Sequence, residues 1–401
     1  MIGWIVLLIS TGALMWVTVS AVFDRQTPLQ ALVGKGALAL LWGATAFALL
    51  IRFTQGLGPV SGMSDRFPWG IWIGLDVLSG VALAAGGYTV TATVHIFNIE
   101  RFKPILKPTV LTAFLGYILV AVALLIDVGR PYRMWHPLVM WQHHSIMFEV
   151  AWCVTLYTAV LAIEFSPVIF ERLGMTKVLK LHHMMVIPLV IVGVVLSTLH
   201  QSSLGSMFLI VPEKLYPLWY SPLLPVFFLV SSVAVGMSMT IVESFFSSKV
   251  FGQSLEEPIL RSLGRTASTV LFLYLFVKIV DVTARQAWGY VFSSPFQGVL
   301  FVTELFAGVF LPAMLLTRRT VLTHPRKLLG SALLIIGGVV LNRLNVSWFG
   351  MIPYSGWAYV PSWMELAITL SFVTVGAVVF GLAVRYLPIF PKEKSPQTST
   401  T

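Results

Sequence analysis

Four ionisable residues stand at the ends of long apolar runs: Asp76 in FPWGIWIGLDVL, Asp127 in LLIDVGRPYR, Glu149 in SIMFEVAW and His200 in STLHQSSLG. An ionised side chain inside a spanning helix costs about 2.5–3.5 kcal/mol on insertion scales, so each needs a partner, water or a task. Carboxylates and an imidazole in apolar surroundings suit proton handling, because burial moves their protonation equilibria towards neutrality. Trp69 precedes Asp76, and Gln201 and Ser202 follow His200. Between Asp127 and Glu149 lies a polar interruption, IDVGRPYRMWHPLVMWQHHSIMFE, carrying Arg130, Arg133, His136, His143 and His144. Its two tryptophans, Trp135 and Trp141, are placed as interfacial anchors. The stretch reads as a cap over a chemical site, with Asp127 and Glu149 facing inward and Arg130 to His144 facing a partner.

Composition narrows the chemistry. The 401 residues are 57% hydrophobic and 10% charged, with a mean hydropathy of +0.88, the signature of an all-α polytopic membrane protein. The net charge of +10 fits cytoplasmic loops, and no nucleic-acid-binding motif accompanies it. One cysteine, Cys153, cannot supply the thiolates of an iron–sulfur cluster, and no C-x-x-C-H run exists for c-type haem. His95 and His200 fall towards opposite membrane faces, which disfavours a bis-histidine haem. No metal site is expected; His143 with His144 reads as a solvated edge.

Apolar runs long enough to span a bilayer fall at about 2–22, 33–51, 70–97, 109–126, 146–163, 184–200, 222–246, 267–289, 296–316, 329–345 and 362–386. They form a single transmembrane domain over 1–390: an extra N-terminal helix and loop (1–32), a first bundle at 67–205, a second at 222–345 and a last helix at 362–386. The tail 391–401 is polar and expected to be disordered. Basic residues concentrate in alternate connections: Arg101, Lys103 and Lys107; Arg172, Lys177 and Lys180; Lys249, Arg261 and Arg265; Arg318, Arg319, Arg326 and Lys327. The positive-inside rule makes these cytoplasmic, with the N-terminus outside and the C-terminus inside. Asp76, Asp127, Glu149 and His200 then share the outer face. Glu304, Asn342 and Arg343 also lie outward, and Asp281 with Arg285 forms an i,i+4 pair. Small residues around Gly80, Ala84 and Gly87 suit close helix packing.

The segments FPWGIWIGLDVLSGVALAAGG (67–87), IDVGRPYRMWHPL (126–138), FEVAWCVTLYTAVLAIEF (148–165) and LHQSSLGSMFLIVPEKLYPLW (199–219) occur in an order that resembles the NrfD-like, polysulfide-reductase-type membrane subunits. The similarity covers about residues 33–390 and is closest to the HybB-like branch, the membrane subunits of periplasmic nickel–iron hydrogenases. The resemblance implies ten or eleven transmembrane helices including two four-helix bundles, without haem or iron–sulfur cluster in this chain. It also implies exchange of electrons between quinone, menaquinone foremost, and a periplasmic multi-cluster iron–sulfur subunit. The resemblance places a catalytic subunit or multihaem cytochrome beyond that partner and implies a bacterial or archaeal cytoplasmic membrane as the setting. Asp76, Asp127, Glu149 and His200 are carried over as catalytic residues. Trp69, Asp76, Arg130, Glu149, His200, Gln201 and Ser202 are carried over as quinone-binding ones. His200 is expected to bond a quinone oxygen, Asp76 or Glu149 to accept the proton, and Arg130 to pair with Asp127. The run at 2–22 departs from the family pattern. Two other classes remain open: a redox-coupled proton-translocating subunit using His95, Glu164 and Glu243 as inner stations, and a secondary transporter, to which an outer bias of ionisable residues is poorly suited.

Overall fold

The computed structural model describes residues 28–357 and 359–390; the run at 2–22 and the tail 391–401 lie outside them. Among the described residues ten helices are long and apolar enough to cross a bilayer. They are α1 (Pro28–Gln55), α2 (Trp72–His95), α3 (Lys103–Asp127), α4 (Ile146–Leu173), α5 (Thr176–Ser206), α6 (Leu224–Phe251), α7 (Glu257–Ala284), α8 (Pro295–Thr317), α9 (Pro325–Ser347) and α10 (Trp363–Tyr386). The chain is an all-α, multi-span integral membrane protein.

Helices α2 to α5 pack in a closed ring of neighbours, and α6 to α9 form a second. Helices α1 and α10 lie against each other, and α10 also packs on α2 and α3. The faces turned away from these contacts carry apolar side chains; on α5, Met184, Ile187, Ile191, Val195 and Leu199 are all exposed, the stripe a lipid-facing helix requires.

Several helices run past the apolar windows seen in the sequence. Helix α4 continues to Leu173 through Glu164, Glu171 and Arg172, and Gly174 ends it at a φ of 69°, the left-handed conformation that glycine adopts most readily. Helix α10 starts at a reciprocal cap in which Ser362 accepts from the Glu365 backbone and Glu365 from that of Ser362.

The rings meet where α2 crosses α6. A β-carbon on Gly86 would stand 2.9 Å from the carbonyl oxygen of Gly236, so this crossing is backbone against backbone, as small residues allow in membranes. Gly308 of α8 and Gly338 of α9 make a similar approach. Gly80 and Gly87 have the packing role expected of them, against Val120 and Ala113 of α3.

Two helices carry a π-helical turn: Trp72–Val77 in α2 and Glu304–Phe310 in α8. Each contains a carboxylate, Asp76 or Glu304. Such turns displace one residue from the regular ladder and recur at functional sites.

Candidate functional site

Asp76, Asp127, Glu149 and His200 all lie near one end of the helices, opposite the end bearing the basic connections. Three separate settings hold them.

The first lies between α1, α2, α3 and α10. Asp76 Oδ2 accepts from Thr369 Oγ1 of α10 at 2.7 Å. Asp127 ends α3, and its Oδ1 is buried without a partner. The expected Arg130–Asp127 pair is absent: Arg130 is exposed on the loop, and Arg52 of α1 takes the position beside Asp127 instead. Arg52 is 2% exposed and donates from Nε to Ile126 O at 2.6 Å and from Nη2 to Val128 O at 2.7 Å. The physical reason is local: the backbone leaves helical geometry at Val128, freeing carbonyls that a buried guanidinium can satisfy. Glu365 lies close enough to act on Asp127 electrostatically and is itself held by Tyr359 Oη at 2.8 Å, Ser362 N at 2.8 Å and Gly62 N at 3.3 Å. Tyr359, between α9 and α10, accepts from Ile71 N at 2.7 Å. Burial, together with the Glu365 carboxylate, pushes its phenol above the ordinary range, so it remains a donor.

The second setting is the interior of the first ring. His200 is completely buried and neither ring nitrogen has a partner. Its ring centroid lies 5.7 Å from that of Tyr117, and Tyr117 stacks edge-on against Tyr157 at 4.6 Å. The hydroxyls of Tyr117 and Tyr157 lie close to that of Ser197, and none of the three makes a hydrogen bond of normal geometry. Gln201 donates from Nε2 to Val81 O at 3.1 Å, while its Oε1 is left free. Buried polar atoms are normally hydrogen-bonded, so a group of them facing one interior marks a place for water or a ligand.

The third setting is the α4–α5 contact. Glu149, in the first turn of α4, is exposed and accepts from Ser203 Oγ at 2.6 Å. Ser202 turns back to Thr198 O in its own helix at 2.9 Å. No hydrogen bond joins Glu149 or Asp76 to His200. Trp69 packs edge-on against Phe208 just past α5, centroids 5.0 Å apart.

The loop from Val128 to Ser145 is pinned to α4 by Trp152 Nε1, which donates to Pro137 O at 2.7 Å. Trp141 packs on Trp152 at 5.1 Å. Tyr132, Trp135, Val139, Met140 and Trp141 remain exposed beside Arg130, Arg133, His143 and His144.

The second ring has a comparable polar interior whose groups are mostly matched to one another. Glu304 accepts from Trp219 Nε1 at 2.8 Å, Asn345 Nδ2 at 2.6 Å and Asn342 Nδ2 at 2.8 Å. Arg343 donates to Asn342 Oδ1 at 2.6 Å and Ser231 Oγ at 2.8 Å, with its guanidinium 3.6 Å from the Phe228 centroid. The Asp281–Arg285 pair forms at 2.7 Å, and Ser221 Oγ donates to Asp281 at 2.6 Å. Lys278 is buried over the Phe227 ring at 4.6 Å.

Tyr117, Tyr157, Ser197, Ser203, Thr369, Tyr359 and Glu365 escaped the reading of the sequence, as did the place of Arg52 beside Asp127. A signal existed for Glu365, because Ser362-Trp-Met-Glu365 directly before an apolar run is a capping-box pattern. Among the described residues no three His, Cys, Asp or Glu side chains are grouped to hold a metal ion.

The family model "Polysulphide reductase, NrfD" matches residues 59–352. A protein of Nitratidesulfovibrio vulgaris is 41% identical over 357 residues, 85% of this chain and 90% of that protein. The probable Ni/Fe-hydrogenase 2 b-type cytochrome subunit of Escherichia coli is 33% identical, with 86% of this chain and 88% of the relative covered. The menaquinone reductase integral membrane subunit of N. vulgaris is 31% identical, with 88% and 90% covered. From the first of the four motifs to the end of α9, the chain belongs to the NrfD polysulphide reductase family.

Proposed function

We propose that this chain is the quinone-reactive, haem-free membrane subunit of a multi-subunit respiratory complex. It exchanges electrons between the menaquinone pool and a periplasmic iron–sulfur partner. The observation carrying this reading is the contrast between the two rings. Polar groups of the second ring mostly satisfy each other, with Arg343 Nε and Asn345 Oδ1 left over, whereas both nitrogens of His200 and the Oε1 of Gln201 are unused inside the first, beside the hydroxyls of Tyr117, Tyr157 and Ser197. A quinone ring, which supplies the two-electron, two-proton chemistry, presents two oxygens that need such partners. His200 would donate to a quinone carbonyl or accept from a quinol hydroxyl, and the free Oε1 of Gln201 would accept from a quinol hydroxyl, while Asp76 and Asp127 are the proton acceptors.

Two relatives support the class. One is named a menaquinone reductase subunit and another a hydrogenase subunit. The cytochrome in the second name has no ready counterpart here, since His95 ends α2 at the basic end and His200 lies near the opposite end of α5. The basic end is cytoplasmic on this reading, and the exposed aromatic and basic loop at 128–145 receives the iron–sulfur partner. The test is quinol oxidation by the purified complex. His200→Phe should abolish it while the subunits still co-purify; normal turnover in that variant would refute the assignment.

The proton-translocating alternative has one specific observation in its favour. Tyr157 lies beside Gly193, and Glu164 approaches the same glycine, 3.5 Å from where its β-carbon would stand. This extends the buried hydroxyls from His200 towards the basic end. Proton uptake on the basic side of vesicles during turnover, lost in Glu164→Gln, would favour that alternative.

A further inference from the structure

A cavity of about 230 Å³ lies between α2, α3, α6 and α10; none of the polar groups of the settings described above lines it, and Gly80 and Val373 in its wall stand one helical turn from Asp76 and Thr369. Gly80, Gly116 and Gly376 line it, and Phe246, Phe372 and Phe380 form broad apolar walls. One carboxyl group, that of Glu243, enters it. Glu243 is 7% exposed. The Thr112 hydroxyl serves its carboxyl group, and Oε2 has no partner. Eight residues separate Glu243 from the basic end of α6, about 12 Å along the axis, so this group belongs to the opposite half of the membrane from His200.

Water does not account for most of the space: an internal water needs two to four polar partners, and among the lining side chains only Glu243, Thr112 and Ser247 offer any, the rest of the walls being apolar. A hydrocarbon chain would fill the space but leave Oε2 unmatched. A flat ring bearing oxygen satisfies both demands. A ring hydroxyl donates to the carboxyl oxygen, and a ring carbonyl accepts from the protonated acid, so either form is matched at the same depth.

We propose that this cavity binds a lipophilic ring compound carrying a hydroxyl or carbonyl group, a quinol or quinone in chemical class, with its oxygen on Glu243. The site is a holding place for the ring; no electron transfer is assigned to it. It stands independently of the site around His200.

The test is equilibrium binding of a fluorescent hydroxyquinoline N-oxide to the intact complex in nanodiscs. Wild type should saturate at two molecules per chain. Val373→Phe, which fills the cavity, should leave one, and Glu243→Leu should weaken one class about tenfold, as expected for loss of a hydrogen bond to an acid. Co-purification of subunits verifies that each variant is assembled. Saturation at one molecule, unchanged by either variant but lost in His200→Phe, would overturn the cavity site and leave the first-ring site standing. Loss of the only bound molecule in Val373→Phe, with His200→Phe unaffected, would support the cavity and overturn the first-ring assignment.

Discussion

Tyr117 and His200 face each other inside the first ring with centroids 5.7 Å apart, and neither imidazole nitrogen has a hydrogen-bond partner, while the phenol oxygen has only the Ser197 hydroxyl near it. Their helices, α3 and α5, thus carry complementary groups to one place without spending them on each other. Unspent hydrogen-bonding capacity lowers stability but is what recognition of a polar ligand requires.

Stability and activity should therefore separate at His200. Phenylalanine there removes two unmatched nitrogens, so the thermal midpoint of the purified protein should stay level or rise. Quinol turnover should fall about 100-fold or more, the range lost when the reacting ring is no longer held in place. A large drop in midpoint would instead make His200 a structural residue.

Arg52 has the opposite profile. Arg52→Ala leaves the carbonyls of Ile126 and Val128 and the Asp127 carboxylate without their cation, a loss of about 3 kcal/mol or more for a buried charge partner. Denaturant unfolding in detergent should show it. Adding Asp127→Asn should recover part of the loss, because the two positions are coupled.

Glu304→Ala orphans donors on Trp219, Asn342 and Asn345, and should lower unfolding stability by about 2–4 kcal/mol, given the strength of hydrogen bonds to charged groups. Turnover per assembled complex should stay within about twofold, since Glu304 spends its hydrogen bonds on Trp219, Asn342 and Asn345. A selective loss of turnover would place chemistry in the second ring.

Tyr359 gives a pH signature. Its folded-state phenol titrates above the ordinary value through burial and the Glu365 carboxylate. The folded protein thus holds a proton that the unfolded chain releases near pH 10. The sign follows: this contribution is complete below about pH 10 and is lost as pH rises further. Thermal midpoints measured between neutral and strongly alkaline pH should fall less steeply in Tyr359→Phe.

Trp152→Phe removes the bond to Pro137 O that pins the loop. Retention of an iron–sulfur partner through affinity purification should weaken, while quinol-analogue binding persists. Unchanged retention would separate the loop from docking.

Hydropathy located the spans because the need to bury backbone in lipid is written into composition. It missed helix ends such as Glu164–Leu173 and Thr176–His183, where hydrogen bonding continues through polar residues outside the apolar window. It also placed Asp76, Asp127, Glu149 and His200 near one end. It did not give the direction each faces, because azimuth depends on packing against distant segments. Asp76 meets Thr369, 293 positions away, whereas His200 turns towards Tyr117 and Glu149 towards Ser203. The substitution of Arg52 for Arg130 has the same origin: chain proximity favoured Arg130, but a helix arriving from elsewhere already filled the place.

The contact of Gly86 with Gly236 has a mechanical consequence. With backbone against backbone in the interior of the crossing, the two rings share a fulcrum that leaves no side-chain layer to slide or compress. A rocking motion that opens first one membrane face and then the other would have to pry this seam apart. The scaffold is built to stay rigid, which suits a molecule passing electrons over fixed distances better than one carrying cargo from side to side.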